Sequence, residues 1–132
     1  MNLDDYFKEK KGLGILATAD GEGRVNAAVY GRPHFIDGET VAFIMQDRLS
    51  HRNLQSNPSA AYLFKEEGEK YVGKRLYLTQ TGEEKDSPLI AELKRHKSPE
   101  AKATASPASR FLVYFRIDRV LPLIGDGGKK QP

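Results

Sequence analysis

The residues with the most chemistry to offer stand together in Met45-Gln46-Asp47-Arg48-Leu49-Ser50-His51-Arg52-Asn53-Leu54-Gln55-Ser56-Asn57-Pro58. An apolar stretch ends there and a polar one begins. From Arg48 to Ser56 the apolar positions Leu49 and Leu54 suit a helix of about two turns. Asp47 or Ser50 can cap its start, and Asn57-Pro58 stops it. The first amides of a helix have no partner within it and carry partial positive charge, so they attract an anion. Ser50 adds a hydroxyl donor, Arg52 offers two parallel N–H groups and His51 offers another. That set suits a phosphate. It also suits an ordinary capped helix with a solvated face.

The second such stretch is the strand Arg24 to Phe35. Side chains alternate along a strand, so Val25, Ala27, Val29 and Phe35 share one face. Asn26, Ala28, Tyr30, Arg32 and His34 share the other. Polar groups around the small Ala28 leave room for a planar ring against the backbone. A plain solvent-facing strand side has the same pattern. Other chemistries find little support. Cysteine is absent, which excludes disulfides, thiolate nucleophiles and thiolate metal sites. His34, His51 and His96 lack metal-ligand spacing. Glu66, Glu67 and Glu69 read as a solvated charged loop. Gly12-Leu13-Gly14 precedes a strand rather than a helix, unlike a dinucleotide-binding loop.

The elements that must carry these residues read mostly as strands. A short amphipathic helix is expected over Asp5 to Lys11, with Tyr6 and Phe7 as anchors and Gly12 as its stop. Strands follow at Leu13–Thr18, Arg24–Phe35 and Thr40–Met45, with turns at Asp20-Gly21-Glu22-Gly23 and Asp37-Gly38. After the helix at Arg48–Ser56 come strands at Ala60–Phe64 and Tyr71–Thr81, the latter alternating Leu76, Leu78 and Gln80. Ser87-Pro88 opens a helix to about Lys97. Ser98–Ser109 reads as a loop or lid, and Phe111–Val120 as the last strand. Residues 125 to 132 read as a tail. The sum is a mainly β fold: six antiparallel strands in one domain spanning residues 1 to 132, with small helices. A closed or nearly closed barrel removes exposed strand edges.

Hydrophobic residues make up 39% of the 132, enough for one modest core. A domain this small gains from pairing with a second copy. No apolar run reaches membrane-spanning length, and residues 1–11 are too charged for a secretory leader, so a cytoplasmic protein is expected. The net charge of +3 comes from 21 basic and 18 acidic residues, interspersed along the chain. Nucleic-acid binding usually concentrates its positive charge on one face, so this pattern argues against it.

Several segments together resemble a known family. They are Gly14-Ile15-Leu16-Ala17-Thr18, Arg24-Val25-Asn26-Ala27-Ala28-Val29-Tyr30 and Val41-Ala42-Phe43-Ile44-Met45. Ser50-His51-Arg52-Asn53-Leu54, Asn57-Pro58 and Phe115-Arg116-Ile117-Asp118-Arg119-Val120 follow. In order and spacing, over residues 5 to 124, they resemble the pyridoxamine 5′-phosphate oxidase-like FMN-binding split-barrel family. The resemblance implies a split barrel holding FMN at a homodimer interface. It implies that Ser50, His51 and Arg52 hold the flavin phosphate, and that Asn26, Ala28 and Tyr30 line the isoalloxazine ring. Ile44 and Met45 would touch the cofactor, with Arg75 nearby. The chain is shorter than true vitamin-B6 oxidases and lacks their C-terminal arginine–histidine segment. Thr79-Gln80 stands where relatives often have glycine. A pyridoxamine phosphate substrate is therefore not expected. The implied activity is an FMN-dependent oxidoreductase or flavin reductase acting on a small redox substrate. The alternatives are a non-catalytic flavin- or partner-binding module, or a related barrel using heme or a deazaflavin. No obligatory acid–base residue stands out.

Overall fold

A computed structural model describes residues 2–95 and 110–126. Ten elements follow in order: α1 (Leu3–Glu9), β1 (Gly12–Ala19), β2 (Val25–Val29), β3 (His34–Phe35), β4 (Thr40–Gln46), α2 (Leu49–Ser56), β5 (Ser59–Glu66), β6 (Gly73–Lys85), α3 (Leu89–Arg95) and β7 (Arg110–Pro122). The strands form one antiparallel sheet in the order β2-β1-β5-β6-β7-β4-β3.

This is the expected mainly β, antiparallel barrel, with seven strands among the described residues rather than six. The extra strand comes from the stretch read as one strand over 24–35. Gly31 weakens strand pairing and Pro33 has no N–H to donate, so the chain leaves the ladder after Val29. It rejoins for two residues, where His34 pairs with Ala42 and Phe35 with Val41. Helix α1 lies two residues earlier than expected, because the Asn2 side chain caps it by accepting from the Asp5 amide at 2.8 Å. The expected loop at Ser98–Ser109, the last residues of the α3 expectation and residues 127–132 of the tail lie outside the described residues.

Inward-facing positions alternate along every central strand. Leu16, Val41, Tyr62, Phe64, Leu76, Val113 and Phe115 have no exposed surface. Removing such a side chain from water is worth about 1.5–3 kcal/mol. Rings dominate this core: Phe43 packs edge-on to Phe115 at 5.8 Å, and Phe7 meets Phe64 edge-on at 5.1 Å. On the outer face of β4 and β7, α3 adds Ile90 against Ala42 and Leu112.

The order of the strands leaves a split. β2 stands at one end of the sheet and β4, with the short β3, at the other, so β2 and β4 are not paired. Helix α2 spans that gap. The Asn53 side chain donates to Thr18 Oγ1 of β1 at 3.0 Å, and both residues are buried. The Ser56 hydroxyl accepts from the Gly21 amide at 2.9 Å. Tyr62 secures the chain beyond β2 by donating its hydroxyl to the Gly31 carbonyl at 3.0 Å. Among the described residues no helix is long and apolar enough to cross a membrane.

Candidate functional site

Where α2 crosses the split, a cavity of about 440 Å³ opens between β2, the end of β4 and the first turn of the helix. Asn26, Ala28, Val29 and Tyr30 form one wall. Ile44 and Gln46 form a second, and Arg48, Leu49 and Ser50 close the end.

The helix start is unusual. Its N-cap position is Arg48, whose side chain makes no capping bond, and the first turn holds no acidic residue. The opening amides of α2 therefore lack a capping side chain, and the neighbouring Asp47 carboxylate is turned to the His51 ring. An arginine at this position adds further positive charge. Ser50 stands in the first turn with its side chain toward β2, where its Oγ accepts from Asn26 Nδ2 at 3.3 Å. Tyr30 shares a hydrogen bond with the same hydroxyl. Burial is the main influence on the Tyr30 phenol and raises it above its ordinary range. The bond to Ser50 and the charge of Arg48 offset part of that rise. The Tyr30 phenol is thus neutral at physiological pH. A hydroxyl, a guanidinium and uncapped helix amides converge there, and that set recognises an anion with several acceptor oxygens.

Five of the nine residues expected at the site line this cavity: Asn26, Ala28, Tyr30, Ile44 and Ser50. The other four do not. Met45 is 1% exposed and packs in the barrel core. Strand alternation gives its neighbours Ile44 and Gln46 to the cavity instead. His51 is buried and turned from the cavity, its ring stacked on Phe111 at 3.9 Å between centroids. Arg52 is exposed and lies over the preceding turn, where its Nη2 donates to the Asp47 carbonyl at 3.2 Å. Arg75 serves the end of β7, where its Nε donates to the Pro122 carbonyl at 2.9 Å and its Nη2 bonds the Gly125 carbonyl.

Four lining residues were not among those expected: the apolar Val29 and Leu49, and the polar Arg48 and Gln46. The two polar ones are legible in retrospect: Gln46 is one strand repeat from Ile44, and Arg48 is the residue just before the first helical turn. Arg32 and His34, read on the same strand face as Tyr30, line a separate cavity of about 540 Å³ beside α1. The break after β2 separates them. Arg32 there donates through Nη1 to the Phe7 and Lys10 carbonyls, at 2.7 and 3.0 Å, and so closes the end of α1.

The face of the sheet beside the cavity is apolar. Val25 is 83% exposed and Val29 71% exposed. Val29 stands in register with Ile15 of β1, and Ile15 with Leu63 of β5, which is also exposed. Together they give this side of the sheet an exposed apolar face.

No family model matches the chain, and no curated protein matches it. Solved structures do. An FMN-binding protein from Syntrophomonas wolfei subsp. wolfei aligns with a TM-score of 0.74 at 16% identity, covering 92% of this chain and 83% of that one. An F420 reductase aligns with a TM-score of 0.70 at 19% identity, covering 91% of this chain and 97% of that one. A candidate pyridoxamine 5′-phosphate oxidase from Lactobacillus delbrueckii aligns with a TM-score of 0.64 at 19% identity, covering 89% and 88%. At these identities the likeness is one of fold. The chain has the split-barrel fold of the pyridoxamine 5′-phosphate oxidase-like proteins.

Proposed function

We propose that this split barrel binds FMN in the cavity at the start of α2 and works as a homodimeric flavin oxidoreductase or flavin reductase. The observation that carries the reading is the helix N-terminus without a side-chain cap, with Arg48 and Ser50 beside it in one cavity. The acceptor that the uncapped amides lack is what a flavin phosphate supplies. Arg48 takes the role that the sequence alone gave to His51 and Arg52. Asn26, Ala28, Tyr30 and Ile44 then line the path of the ring system. Ala28 leaves the backbone accessible, and Asn26 and Gln46 bring amides for ring oxygens and nitrogens. The flavin carries the redox chemistry when bound, and the chain supplies binding, orientation and the surrounding field.

Among the structural neighbours one is an FMN-binding protein and another an F420 reductase, which agrees with a flavin-type ligand. The homodimer is supported by the exposed apolar face. Val29 belongs both to that face and to the cavity lining, so a second copy packed there would close the open side of the site. The substrate is a small redox molecule reaching the exposed part of the ring.

The test is the visible absorption spectrum of freshly purified protein, followed by titration with FMN and measurement of the mass in solution. Flavin bands, or micromolar or tighter FMN binding by a folded dimer, support the reading. A folded protein that does not bind FMN removes it, and a deazaflavin spectrum replaces FMN with the related cofactor.

A further inference from the structure

We infer that the cavity beside α1 is a second binding site, separate from the one at the start of α2, and that it takes a small aromatic monocarboxylate. The cavity holds about 540 Å³, within the roughly 300–1,000 Å³ of small-molecule sites. Three parts of the chain build it: the outer side of α1, the stretch 32–35 that includes β3, and Leu93 of α3. His34 stands in register with Ala42, so its side chain shares the sheet face on which α3 packs. The Tyr62 hydroxyl donates to the Gly31 carbonyl at 3.0 Å and so pins the chain between Tyr30 of the first cavity and Arg32 of the second. Among the described residues, none lines both cavities.

Arg32 carries the recognition. Its Nη1 donates to the carbonyls of Phe7 and Lys10, at 2.7 and 3.0 Å. Both acceptors are neutral, so they fix the guanidinium in place without cancelling its charge. A guanidinium already held still meets a carboxylate with little further ordering. The other two charged side chains of the lining offset each other: Lys8 Nζ lies 3.5 Å from Asp4 Oδ2 across one turn of α1. Asp4, Lys8 and Arg32 thus amount to a single positive charge, which matches a monoanion. A phosphate dianion brings more charge than Arg32 meets and also faces the Asp4 carboxylate.

The rest of the lining is apolar and stiff. Phe7 and Phe35 pack ring against ring, with 6.1 Å between centroids and 32° between planes. Phe7 is part of the buried core, and Pro33, also buried, has its φ fixed by its ring. Leu93 adds an aliphatic wall from α3. A flat apolar body with one carboxylate answers both halves of this lining, whereas a purely apolar molecule leaves the guanidinium without an anion. The inference stands on these contacts and does not depend on the flavin reading.

The experiment titrates the full chain with 2-naphthoate and, as a neutral control, 2-naphthamide, and follows the backbone amides by ¹H–¹⁵N NMR. Saturable binding of naphthoate with a Kd below about 1 mM is expected, with naphthamide weaker by about fivefold or more. The amides that move should be those of Phe7, Arg32, His34, Phe35 and Leu93. Movement centred on Asn26, Tyr30 and Ser50 instead overturns the proposal, because the anion then lies at the start of α2. Arg32→Gln should weaken naphthoate by about tenfold or more and leave naphthamide within about twofold of wild type. Arg32 also holds the end of α1, so Lys8→Glu and Asp4→Asn decide the matter if that variant does not fold. Lys8→Glu should weaken naphthoate by about threefold or more, and Asp4→Asn should tighten it by about twofold. Equal affinity for naphthoate and naphthamide, or a naphthoate affinity that these charge changes leave untouched, overturns the proposal.

Discussion

Asn26 of β2 donates to Ser50 of α2 at 3.3 Å, across the gap that strand pairing leaves between β2 and β4 among the described residues. That bond joins the two stretches that offered the most chemistry in the sequence. It also orients the serine, whose Oγ accepts from Asn26 beside the Tyr30 phenol.

The first prediction separates the two arginines. Arg48 lines the cavity and Arg52 does not. A hydrogen bond to a charged group contributes about 1.5–3 kcal/mol, so Arg48→Ala should weaken FMN by about 10- to 100-fold. Riboflavin, which lacks the phosphate, should change by less than about twofold. Arg52→Ala should behave as wild type toward both. Fluorescence titration of the two ligands against the two variants decides it; equal losses for FMN and riboflavin would place the anion elsewhere.

Much of the fold was legible in the sequence, and the reasons for the misses are geometric. Leu76 and Leu78, Val113 and Phe115, and the turns at Asp20 and Asp37 marked the strands through periodicity and turn chemistry that hold locally. The site was harder. Ser50, His51 and Arg52 read as one donor run, but successive helical residues rotate by about 100°, so adjacent side chains cannot all face one cavity. Asp47 and His51 stand at the i, i+4 spacing of a helical ion pair, a signal that the ring was already engaged. Met45 beside Ile44 breaks the period of two in the same way. Arg75 could not have been placed from sequence, because its partners are carbonyls 47 and 50 residues away at the end of β7.

A second prediction concerns the wall behind the site. A methyl group at Gly14 would fall on the Tyr62 hydroxyl and within 2.6 Å of the Tyr30 carbonyl. Gly14→Ala should therefore destabilise the fold by about 1–3 kcal/mol, as overpacking does. It should also weaken FMN by displacing Tyr30. Gly38→Ala, where nothing lies within 4 Å, is the control and should unfold at the wild-type temperature. Thermal unfolding of both variants checks this.

The apolar face supplies a third. Val25 is exposed in the single chain and outside the cavity lining, so Val25→Glu should leave the folded protomer intact. In the proposed homodimer it buries a charge at the interface and should shift the mass in solution from two chains to one. Sedimentation or light scattering reads the mass. A dimer as stable as wild type would mean that this face is not the interface.

A fourth concerns acid. The Arg24 guanidinium, bonded to Asp20 at 2.7 Å, holds the Asp20 carboxyl below its ordinary range, with the Arg24 amide adding to the effect. A carboxylate lowered in the folded state stabilises it above the unfolded value, and that contribution disappears as pH falls through the folded one. The turn between β1 and β2 should lose stability on acidification through the carboxylate range. Because Asp20 is solvent-facing, the effect should be small and reduced by salt. Arg24→Gln should flatten the dependence of unfolding temperature on pH in that range; an unchanged slope would show that the pair does not matter.

The most direct measurement of the central claim is a side-by-side titration of FMN and riboflavin against the wild-type protein, followed by flavin fluorescence. An anion site at the start of α2 predicts that FMN binds at least about tenfold more tightly than riboflavin, with the margin lost in Arg48→Ala. Equal affinity for the two flavins, or none for either in a folded protein, would contradict it.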